Sequence, residues 1–364
     1  MAPGAETGSP AGFGSSPEPL AAVHDVALLD LDGVVYVGRG AVPHAAASLD
    51  VAAALHGLRS AFVTNNAARP PAEVAAHLVE LGVRATPDDV VTSAQAGARM
   101  LADRLPAGSR VLVIGGPGVP AALQERGFDP VESDDERPIA LMQGFGPTVG
   151  WTQLAEGTLA INRGVLWVAT NVDATIPSPR GRVLGNGSLV AALRHATGVE
   201  PLVAGKPEPP LMLESVERSR ARSPIVVGDR LDTDIEGANR TAIPSLLVLT
   251  GVTDWQDLLT AEPRFRPTFL DLDLRGLLRP QPRVEVEQDG DVLLGHCGRT
   301  SVRVATGAES TSGDPRWWLP DRARASAGPN LDDDGLDLAR VLVAVAWKVA
   351  DSGRAVAGPA QILS

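Results

Sequence analysis

Two carboxylates, Asp30 and Asp32, directly follow an apolar run near the start of the chain. The run, Val26-Ala27-Leu28-Leu29, has no polar alternation, which is typical of a buried strand in a parallel sheet. Burying two acids at the end of such a strand is costly unless a cation or hydrogen-bond donors compensate. Ligands of open α/β sheets bind at the carboxyl ends of the strands, so the pair predicts a functional site. A calcium loop is disfavoured because Val34-Val35-Tyr36 stands where further oxygen ligands would be needed.

A second strand end also carries polar groups. The apolar run Ala61-Phe62-Val63 ends in Thr64-Asn65-Asn66, and a helical pattern over 73–81 follows. A hydroxyl and backbone amides in front of a helix can cradle a phosphate group. An ordinary turn between strand and helix is rich in the same residues, so this segment alone leaves both interpretations open.

Lys206 is one of only two lysines among 32 basic residues, since all the others except Lys348 are arginine. Lysine offers a compact point charge on a flexible stem, which the planar fork of arginine does not match. Retention of lysine at this position therefore suggests a specific role, against the alternative of a solvated surface residue.

A third strand end is again acidic. Asp229, Asp232 and Asp234 follow the apolar run over 224–227, and a helical run over 235–240 comes next. A single aspartate could serve as the N-cap of that helix. Three acids in so short a segment exceed what a cap requires, and they predict further ligands at a strand end.

These four segments, in this order, resemble the haloacid dehalogenase-like phosphatases. The resemblance is greatest to the subgroup of NagD-like and p-nitrophenyl phosphatases, which carry a large cap between the second and third motifs. It extends from about residue 26 to residue 278. Within the subgroup, the actinobacterial glycerol 3-phosphate phosphatases are the most similar.

The resemblance implies a role for each motif residue. Asp30 would be the nucleophile that forms an aspartyl-phosphate, and Asp32 the general acid and then the general base. Asp232 would be a surface residue. Four residues would bind the phosphoryl group, with the lysine also neutralising its charge during transfer: Thr64, Asn65, Asn66 and Lys206.

Mg²⁺ is the cofactor that the resemblance implies. It would be held by the carboxylates of Asp30 and Asp229 and by the backbone carbonyl of Asp32. A hard site made only of oxygen ligands suits Mg²⁺ better than Zn²⁺. Asp234 would position Lys206 or a metal-bound water.

The cap of such phosphatases contributes to substrate choice. Asn171 and Asp173 follow a strand predicted at 166–169 and are the candidate specificity residues, although turn formation explains them equally well. The segments Gln143-Gly144-Phe145 and 169–174, together with a long C-terminal extension, favour glycerol 3-phosphate as the substrate and a place in glycerophospholipid metabolism. A broad-specificity p-nitrophenyl, sugar-phosphate or nucleotide phosphatase is the alternative, and a non-catalytic phosphate-binding regulator is the alternative of another class.

One further motif is a weaker candidate. The segment over 116–121, Gly-Pro-Gly-Val-Pro-Ala, fits the glycine pattern of dinucleotide-binding turns and follows a strand predicted at 111–114. That pattern also needs an acid about 20 residues further on, and Glu132 comes too early. An NAD-dependent enzyme is therefore disfavoured.

The predicted fold is α/β, with a Rossmann-like parallel-sheet core, an inserted α/β cap and a small α+β C-terminal extension. The extension predicts a hairpin over 283–294, a strand over 301–305 and a helix over 336–349. It resembles an acetyltransferase fragment but lacks a glycine-rich acetyl-CoA loop, so no acetyl transfer is expected. The predicted domains are a disordered tail over 1–22, the core over 23–92 and 203–278, the cap over 93–202 and the extension over 279–364.

The composition restricts the partners. A formal net charge of −12 argues against nucleic acid and anionic membranes, and no run is long enough to insert into a bilayer. Cys297 is the only cysteine, which excludes an intrachain disulfide. We expect a cytoplasmic protein that acts on a small phosphorylated metabolite and that could form a homo-oligomer.

Overall fold

The structure, a computed structural model, describes residues 12–178, 180–306, 316–318, 331–354 and 356. The chain forms two compact units, Met1–Arg59 with Ser223–Ser364, and Ser60–Arg222. In chain order, the strands of the described residues are β1 Ser16–Pro19, β2 Val26–Leu29, β3 Tyr36–Val37, β4 Gly40–Ala41, β5 Arg59–Thr64, β6 Val90–Thr92, β7 Arg110–Ile114, β8 Asp129–Val131, β9 Ala140–Gln143, β10 Leu166–Ala169, β11 Thr175–Ser178, β12 Gly181–Leu184, β13 Leu202–Val203, β14 Pro224–Gly228, β15 Ser245–Val248, β16 Phe269–Asp271, β17 Pro280–Gln281, β18 Val284–Asp289, β19 Val292–Cys297, β20 Thr300–Ala305 and β21 Arg316–Trp318.

The α-helices are α1 Leu20–Val23, α2 Ala45–His56, α3 Pro71–Glu80, α4 Ser93–Ala102, α5 Gly118–Glu125, α6 Trp151–Asn162, α7 Asn186–Thr197, α8 Pro209–Ser219, α9 Glu236–Arg240 and α10 Asp333–Asp351. Short 3-10 helices lie at Pro87–Asp89, Asp134–Glu136, Trp255–Thr260, Pro263–Phe265 and Leu274–Leu278, and a π-helical turn lies at Leu231–Ile235. Among the described residues, no helix has both the length and the apolar character needed to cross a membrane.

The first unit contains four parallel strands in the order β16-β15-β14-β2. Strands β2, β15 and β16 are buried along their whole length, as expected for apolar strands covered on both faces of a sheet. Leu29 of β2 lies in register with Val227 of β14. The residues that directly follow these two strands, Asp30 and Asp229, therefore emerge at the same edge of the sheet.

The C-terminal extension belongs to this first unit. Strands β18, β19, β20 and β21 form an antiparallel sheet, with Gly290 at the hairpin turn in the left-handed region (φ +57°). Helix α10 packs against this sheet, and the two share one buried apolar cluster with the 3-10 helix Trp255–Thr260. The predicted hairpin, third strand and helix are confirmed, and the extension shares the core of the phosphatase segment.

The prediction of a disordered tail was wrong for residues 12–22. Strand β1 pairs with β17 in antiparallel fashion, and α1 follows with Leu20 and Ala21 fully buried. The segment is rich in Gly, Ser and Pro, but its short apolar stretch packs against the 3-10 helix Leu274–Leu278, which is distant in sequence. Residues 1–11 of the predicted tail lie outside the described residues.

The second unit contains the parallel pair β5-β6 and a five-stranded parallel sheet in the order β13-β10-β9-β7-β8. Helices α4, α5, α6 and α7 connect or flank these strands. A parallel sheet with helical connections is what the predicted α/β cap requires. The predicted limits of the core and the cap, 92/93 and 202/203, stay predictions.

Candidate active site

Three carboxylates gather at the ends of β2 and β14. One carboxylate oxygen from each of Asp30, Asp229 and Asp234 lies within 4.8 Å of the other two. Asp229 and Asp234 are buried and Asp30 is half-buried. Like charges this close disfavour joint ionisation unless a cation compensates, and carboxylate oxygens are ligands for hard divalent cations. The donor set therefore fits Mg²⁺.

The turn after β2 brings Asp229 close to the backbone. Gly33 N donates to Tyr36 O (2.8 Å) and Tyr36 N donates to Leu31 O (3.1 Å), which closes a tight loop around Asp32. Gly33 has a φ of +84°, and a Cβ there would stand 2.4 Å from Asp229 Oδ2. Glycine is thus required by both conformation and space. The Asp32 side chain is exposed, which suits a group that exchanges protons with a ligand.

The loop that follows β15 holds Asp229 from another side. Val252 N donates to Asp229 Oδ2 (2.7 Å), and Thr253 N donates to the backbone oxygen of Asp229 (3.1 Å). The Thr250 hydroxyl donates to Gly33 O. The sequence did not reveal this loop, because the loop acts mainly through backbone groups. Its position after a third buried strand is the one signal that could have found it.

Asp234 and Asp232 lie on the same π-helical turn but have different surroundings. Arg230 N donates to Asp234 Oδ2 (3.2 Å), and the Asp234 side chain is buried. Asp232 is exposed and accepts two hydrogen bonds from the Arg230 guanidinium (2.8 and 3.1 Å). The prediction of a surface position for Asp232 is confirmed.

In the second unit, Asn65 holds the backbone of Lys206. Lys206 N donates to Asn65 Oδ1 (2.8 Å), and Asn65 Nδ2 donates to Lys206 O (3.0 Å). Asn65 Nδ2 also donates to Asp173 Oδ2 (3.2 Å). The Lys206 side chain is buried, with Nζ donating to Val63 O (3.3 Å). A single amide side chain therefore fixes the peptide groups on both sides of the lysine, a role that the sequence did not reveal.

The two candidate specificity residues of the cap both contact this network. Asn171 Nδ2 donates to Asn65 O (2.7 Å), and Asn171 Oδ1 accepts from Asp173 N (3.2 Å). Asn171 is buried, and Asn186 Nδ2 donates to its backbone oxygen (2.7 Å), whereas Asp173 is half-buried. Asn171 therefore supports the Asn65 loop and forms a local turn as well, while Asp173 has the more accessible carboxylate.

Thr64 and Asn66 are joined by a hydrogen bond. Thr64 ends β5 and is buried, and its Oγ1 accepts from Asn66 N (3.1 Å). Asn66 Oδ1 accepts from Ala68 N (2.9 Å), which is a side-chain turn typical of Asn. The ordinary turn that the sequence of this segment left open is thus present. To bind phosphate, Asn66 N would have to donate to a phosphate oxygen in place of Thr64 Oγ1.

The glycines of the 116–121 segment have a packing role. A Cβ at Gly116 would stand 2.8 Å from Ala68 O, and one at Gly118 would stand 2.4 Å from Ala67 O. Gly118 N also donates to Ala68 O (3.1 Å). These glycines admit the backbone of the loop after β5, which accounts for the pattern without a dinucleotide.

The site residues predicted from the sequence thus form two groups. The first unit contains Asp30, Asp32, Asp229 and Asp234. The second unit contains Thr64, Asn65, Asn66, Asn171, Asp173 and Lys206.

A parallel sheet with helical connections, whose neighbouring strands end in an acid cluster, is the arrangement of an enzyme that uses a divalent metal ion. The family model described as haloacid dehalogenase-like hydrolase matches residues 27–129, and a HAD-hydrolase-like model matches residues 203–277. The chain belongs to the haloacid dehalogenase-like phosphatases, as its relatives also show.

The chain is 50% identical over 282 residues to the D-glycerol 3-phosphate phosphatase of Mycobacterium tuberculosis, covering 75% of this chain and 79% of the relative. The crystal structure of the glycerol phosphate phosphatase from that organism in complex with magnesium superposes with a TM-score of 0.75 at 43% identity, covering 91% of this chain and 92% of the other. The acid sugar phosphatase of Staphylococcus haemolyticus is 34% identical over 250 residues, which are 68% of this chain and 93% of the relative.

Proposed function

We propose that this phosphatase is a Mg²⁺-dependent phosphomonoesterase that hydrolyses glycerol 3-phosphate to glycerol and phosphate. The observation that carries the proposed chemistry is the cluster of Asp30, Asp229 and Asp234 at the ends of β2 and β14. The substrate is proposed from the relative in M. tuberculosis, whose similarity covers three quarters of this chain. A cytoplasmic location and a homo-oligomeric state stay predictions from the sequence.

The proposed reaction has two steps at phosphorus. A carboxylate oxygen of Asp30 attacks phosphorus, the bond from phosphorus to the glycerol oxygen breaks, and Asp32 gives its proton to that oxygen. Water then attacks the aspartyl-phosphate, Asp32 takes a proton from the water, and phosphate leaves Asp30 in its original form. The exposure of the Asp32 side chain and the half-buried state of Asp30 support these two different roles.

The carboxylates of Asp30 and Asp229 and the backbone carbonyl of Asp32 would hold the Mg²⁺ ion. When bound, the ion supplies positive charge that offsets the repulsion between Asp30 and the phosphoryl group. Asp234 lies within the same cluster and would support the ion or its waters. The oxygen-only donor set supports this assignment, as does the relative that was crystallised with magnesium.

The phosphoryl oxygens are assigned to Thr64, Asn65, Asn66 and Lys206. Lys206 would neutralise charge on the phosphoryl group during transfer. The two hydrogen bonds between Asn65 and the Lys206 peptide support a positioning role for Asn65. Of the two cap residues, Asp173 is the better candidate for substrate contact because it is the more accessible.

Asp30→Asn tests the nucleophile. We expect phosphate release from glycerol 3-phosphate to fall by several orders of magnitude, since the loss of a covalent nucleophile is rarely compensated. Asp232→Asn is the matched control, because it makes the same change at an exposed aspartate of the acidic segment after β14. Activity in Asp30→Asn close to that of Asp232→Asn would exclude the covalent route.

The substrate is tested by phosphate release from a panel of phosphomonoesters, with Mg²⁺ and with EDTA, compared as kcat/KM. We expect a clear preference for glycerol 3-phosphate and no activity with EDTA. The similarity to the acid sugar phosphatase favours broad specificity as the second candidate, and equal activity on sugar phosphates would support that candidate. Absence of turnover on the whole panel would favour a phosphate-binding regulator.

A further inference from the structure

The backbone near Asp229 continues directly into an element that contacts the C-terminal extension. Val252 N and Thr253 N donate to Asp229, and the next residue, Asp254, is the N-cap of the 3-10 helix Trp255–Thr260. Asp254 Oδ1 accepts from Gln256 N (3.1 Å), and Asp254 N donates to Asp257 Oδ2 (2.8 Å). The two donors to Asp229 are therefore joined without an intervening loop to a capped helix.

Helix α10 holds this 3-10 helix at two points. Trp347 Nε1 donates to Leu258 O (2.6 Å), and the Trp347 side chain is fully buried. Near the end of the 3-10 helix, Arg266 Nε donates to Ala261 O (3.1 Å), while the Arg266 guanidinium forms two bonds of 2.8 Å with Asp351. The extension thus binds one carbonyl group of the 3-10 helix directly and, through Arg266, the carbonyl group of the residue that follows the helix.

Packing makes these contacts rigid. Trp255, Leu258 and Leu259 are buried in the same apolar cluster as Trp347. Phe13 lies against the Trp347 ring with a centroid distance of 4.8 Å, and the Arg266 guanidinium lies 5.0 Å from that ring. A close-packed element of this kind transmits displacement to its neighbours because interiors have little compressibility.

We propose that α10 positions the Asp229 carboxylate for cation binding through the 3-10 helix Trp255–Thr260, with Trp347 as the positioning residue. The inference rests on the proposed function only in taking the acid cluster as the Mg²⁺ site. It gives the C-terminal extension a role in the phosphatase site of its own unit, without a second ligand or activity.

Trp347→Phe tests the proposal, because it removes the donor to Leu258 O and keeps an aromatic ring in the cluster. The affinity of the full-length chain for Mg²⁺ is measured by calorimetry, beside the dependence of kcat and KM on Mg²⁺. Loss of a direct supporting partner typically weakens metal affinity by about 10–100-fold, so this more distant change is expected to weaken it by about three- to tenfold. KM for substrate at saturating Mg²⁺ is expected to stay unchanged.

Val345→Ala is the matched control. Val345 is fully buried on the same helix but faces the sheet, since a Cβ added at Gly295 would stand 2.6 Å from Val345 Cγ2. The change lowers the stability of the extension from the side of the helix that faces the sheet and keeps the bond from Trp347 to Leu258 O, so Mg²⁺ affinity is expected to be unchanged. Equal weakening in Val345→Ala and Trp347→Phe would mean that general destabilisation is the cause, and would overturn the proposal.

Asp254→Ala is a second variant on the proposed route and does not depend on the core. Asp254 is exposed, and its loss removes the N-cap of the 3-10 helix, so the same direction of change in Mg²⁺ affinity is expected. Unchanged affinity in the folded variants of both Trp347 and Asp254 would overturn the proposal, as would a wild-type chain that binds no Mg²⁺. If the wild-type chain binds Mg²⁺ but releases no phosphate, only the proposed function is contradicted. The Mg²⁺ affinities of the wild type and of the two variants would still test whether α10 positions Asp229.

Discussion

Gly33, in the turn after β2, meets two requirements: a positive φ and space for the Asp229 carboxylate. Its positive φ costs a residue with a Cβ about 1–2 kcal/mol. Its second demand is space, because the Asp229 carboxylate occupies the position of a Cβ. Gly33→Ala is therefore expected to displace Asp229, to weaken Mg²⁺ binding by about tenfold or more and to reduce phosphate release. Calorimetry with Mg²⁺ and urea unfolding measure the two effects.

Gly38 provides the matched control for Gly33. It also has a positive φ, +62°, but no atom lies within 4 Å of the position of its Cβ. Gly38→Ala should cost a similar conformational strain and leave Mg²⁺ affinity unchanged. If Gly33→Ala bound Mg²⁺ as tightly as Gly38→Ala, the close approach of Asp229 to this turn would have no part in cation binding.

Asn65 makes a second prediction at the residue scale. Asn65→Ala removes both hydrogen bonds to the Lys206 peptide and the bond to Asp173. A small displacement of a charge-stabilising group can cost about 10²-fold in rate, so kcat/KM is expected to fall by about that factor. Asn162→Ala, at an exposed asparagine on α6, should have no effect. Unchanged kinetics in both variants would rule out a positioning role for Asn65.

The sequence predicted the functional side chains at the strand ends, but it did not predict the backbone groups that hold them. Asp30, Asp229 and Asp234 were found because acids after apolar runs are costly without a purpose. The donors Val252 N and Thr253 N carry no side-chain signature. The pairing of Asn65 with Lys206 was hidden because the two residues are 141 positions apart.

At the element scale, His24 joins the end of α1 to the start of β14. Its Nδ1 lies 3.2 Å from Ser223 O, and the ring is buried. Burial lowers the pKa of His24 from its ordinary value of 6.5, although the bonds to backbone oxygens and the nearby Asp25 oppose this effect. The unfolded chain therefore binds a proton at a higher pH than the folded chain. The stability that neutral His24 contributes is present above pH of about 6.5 and is lost as the pH falls through the lower folded-state pKa.

His24→Gln tests this pH dependence, because glutamine stays neutral and can still donate to Ser223 O. The urea midpoint of the wild type is expected to fall more steeply than that of His24→Gln between neutral pH and about pH 5. His56→Gln, at an exposed histidine on α2, should keep the wild-type slope. Parallel slopes for the wild type and His24→Gln would contradict the prediction.

Elements with a strong local pattern were predicted well, and those that depend on a distant partner were not. Apolar runs identified β2, β5 and β14 to within about two residues, because burial on both faces leaves a run without alternation. Strand β1 has no such pattern, and it is a strand because its backbone pairs with β17, which is distant in sequence. Composition alone therefore misassigned residues 12–22.

At the scale of the first unit, the extension and the phosphatase segment share one apolar cluster and one buried ionic network. Asp271 ends β16 and is fully buried, and it forms ion pairs with the buried Arg340 and the half-buried Arg279. Arg340 also donates to Leu270 O (2.7 and 3.2 Å) and to Gln281 Oε1 (3.0 Å). Charges this deeply buried are tolerated only when paired, so the network requires both segments to be folded.

Arg340→Met tests whether the extension and the phosphatase segment unfold together. The change leaves Asp271 with one cation in place of two and removes the donor to Leu270 O, so the free energy of unfolding is expected to fall by about 3 kcal/mol. Lys348→Met changes the other cation of α10, which is exposed, and should lower the free energy of unfolding by less than about 1 kcal/mol.

Urea unfolding followed by tryptophan fluorescence reports both segments, because Trp255 lies in the phosphatase segment and Trp347 in the extension. A single transition that shifts as a whole in Arg340→Met is expected, since the helix and the strand share their buried contacts. A separate early transition, with the remainder unmoved, would mean that α10 is only an attachment to the sheet edge and not part of its cooperative core.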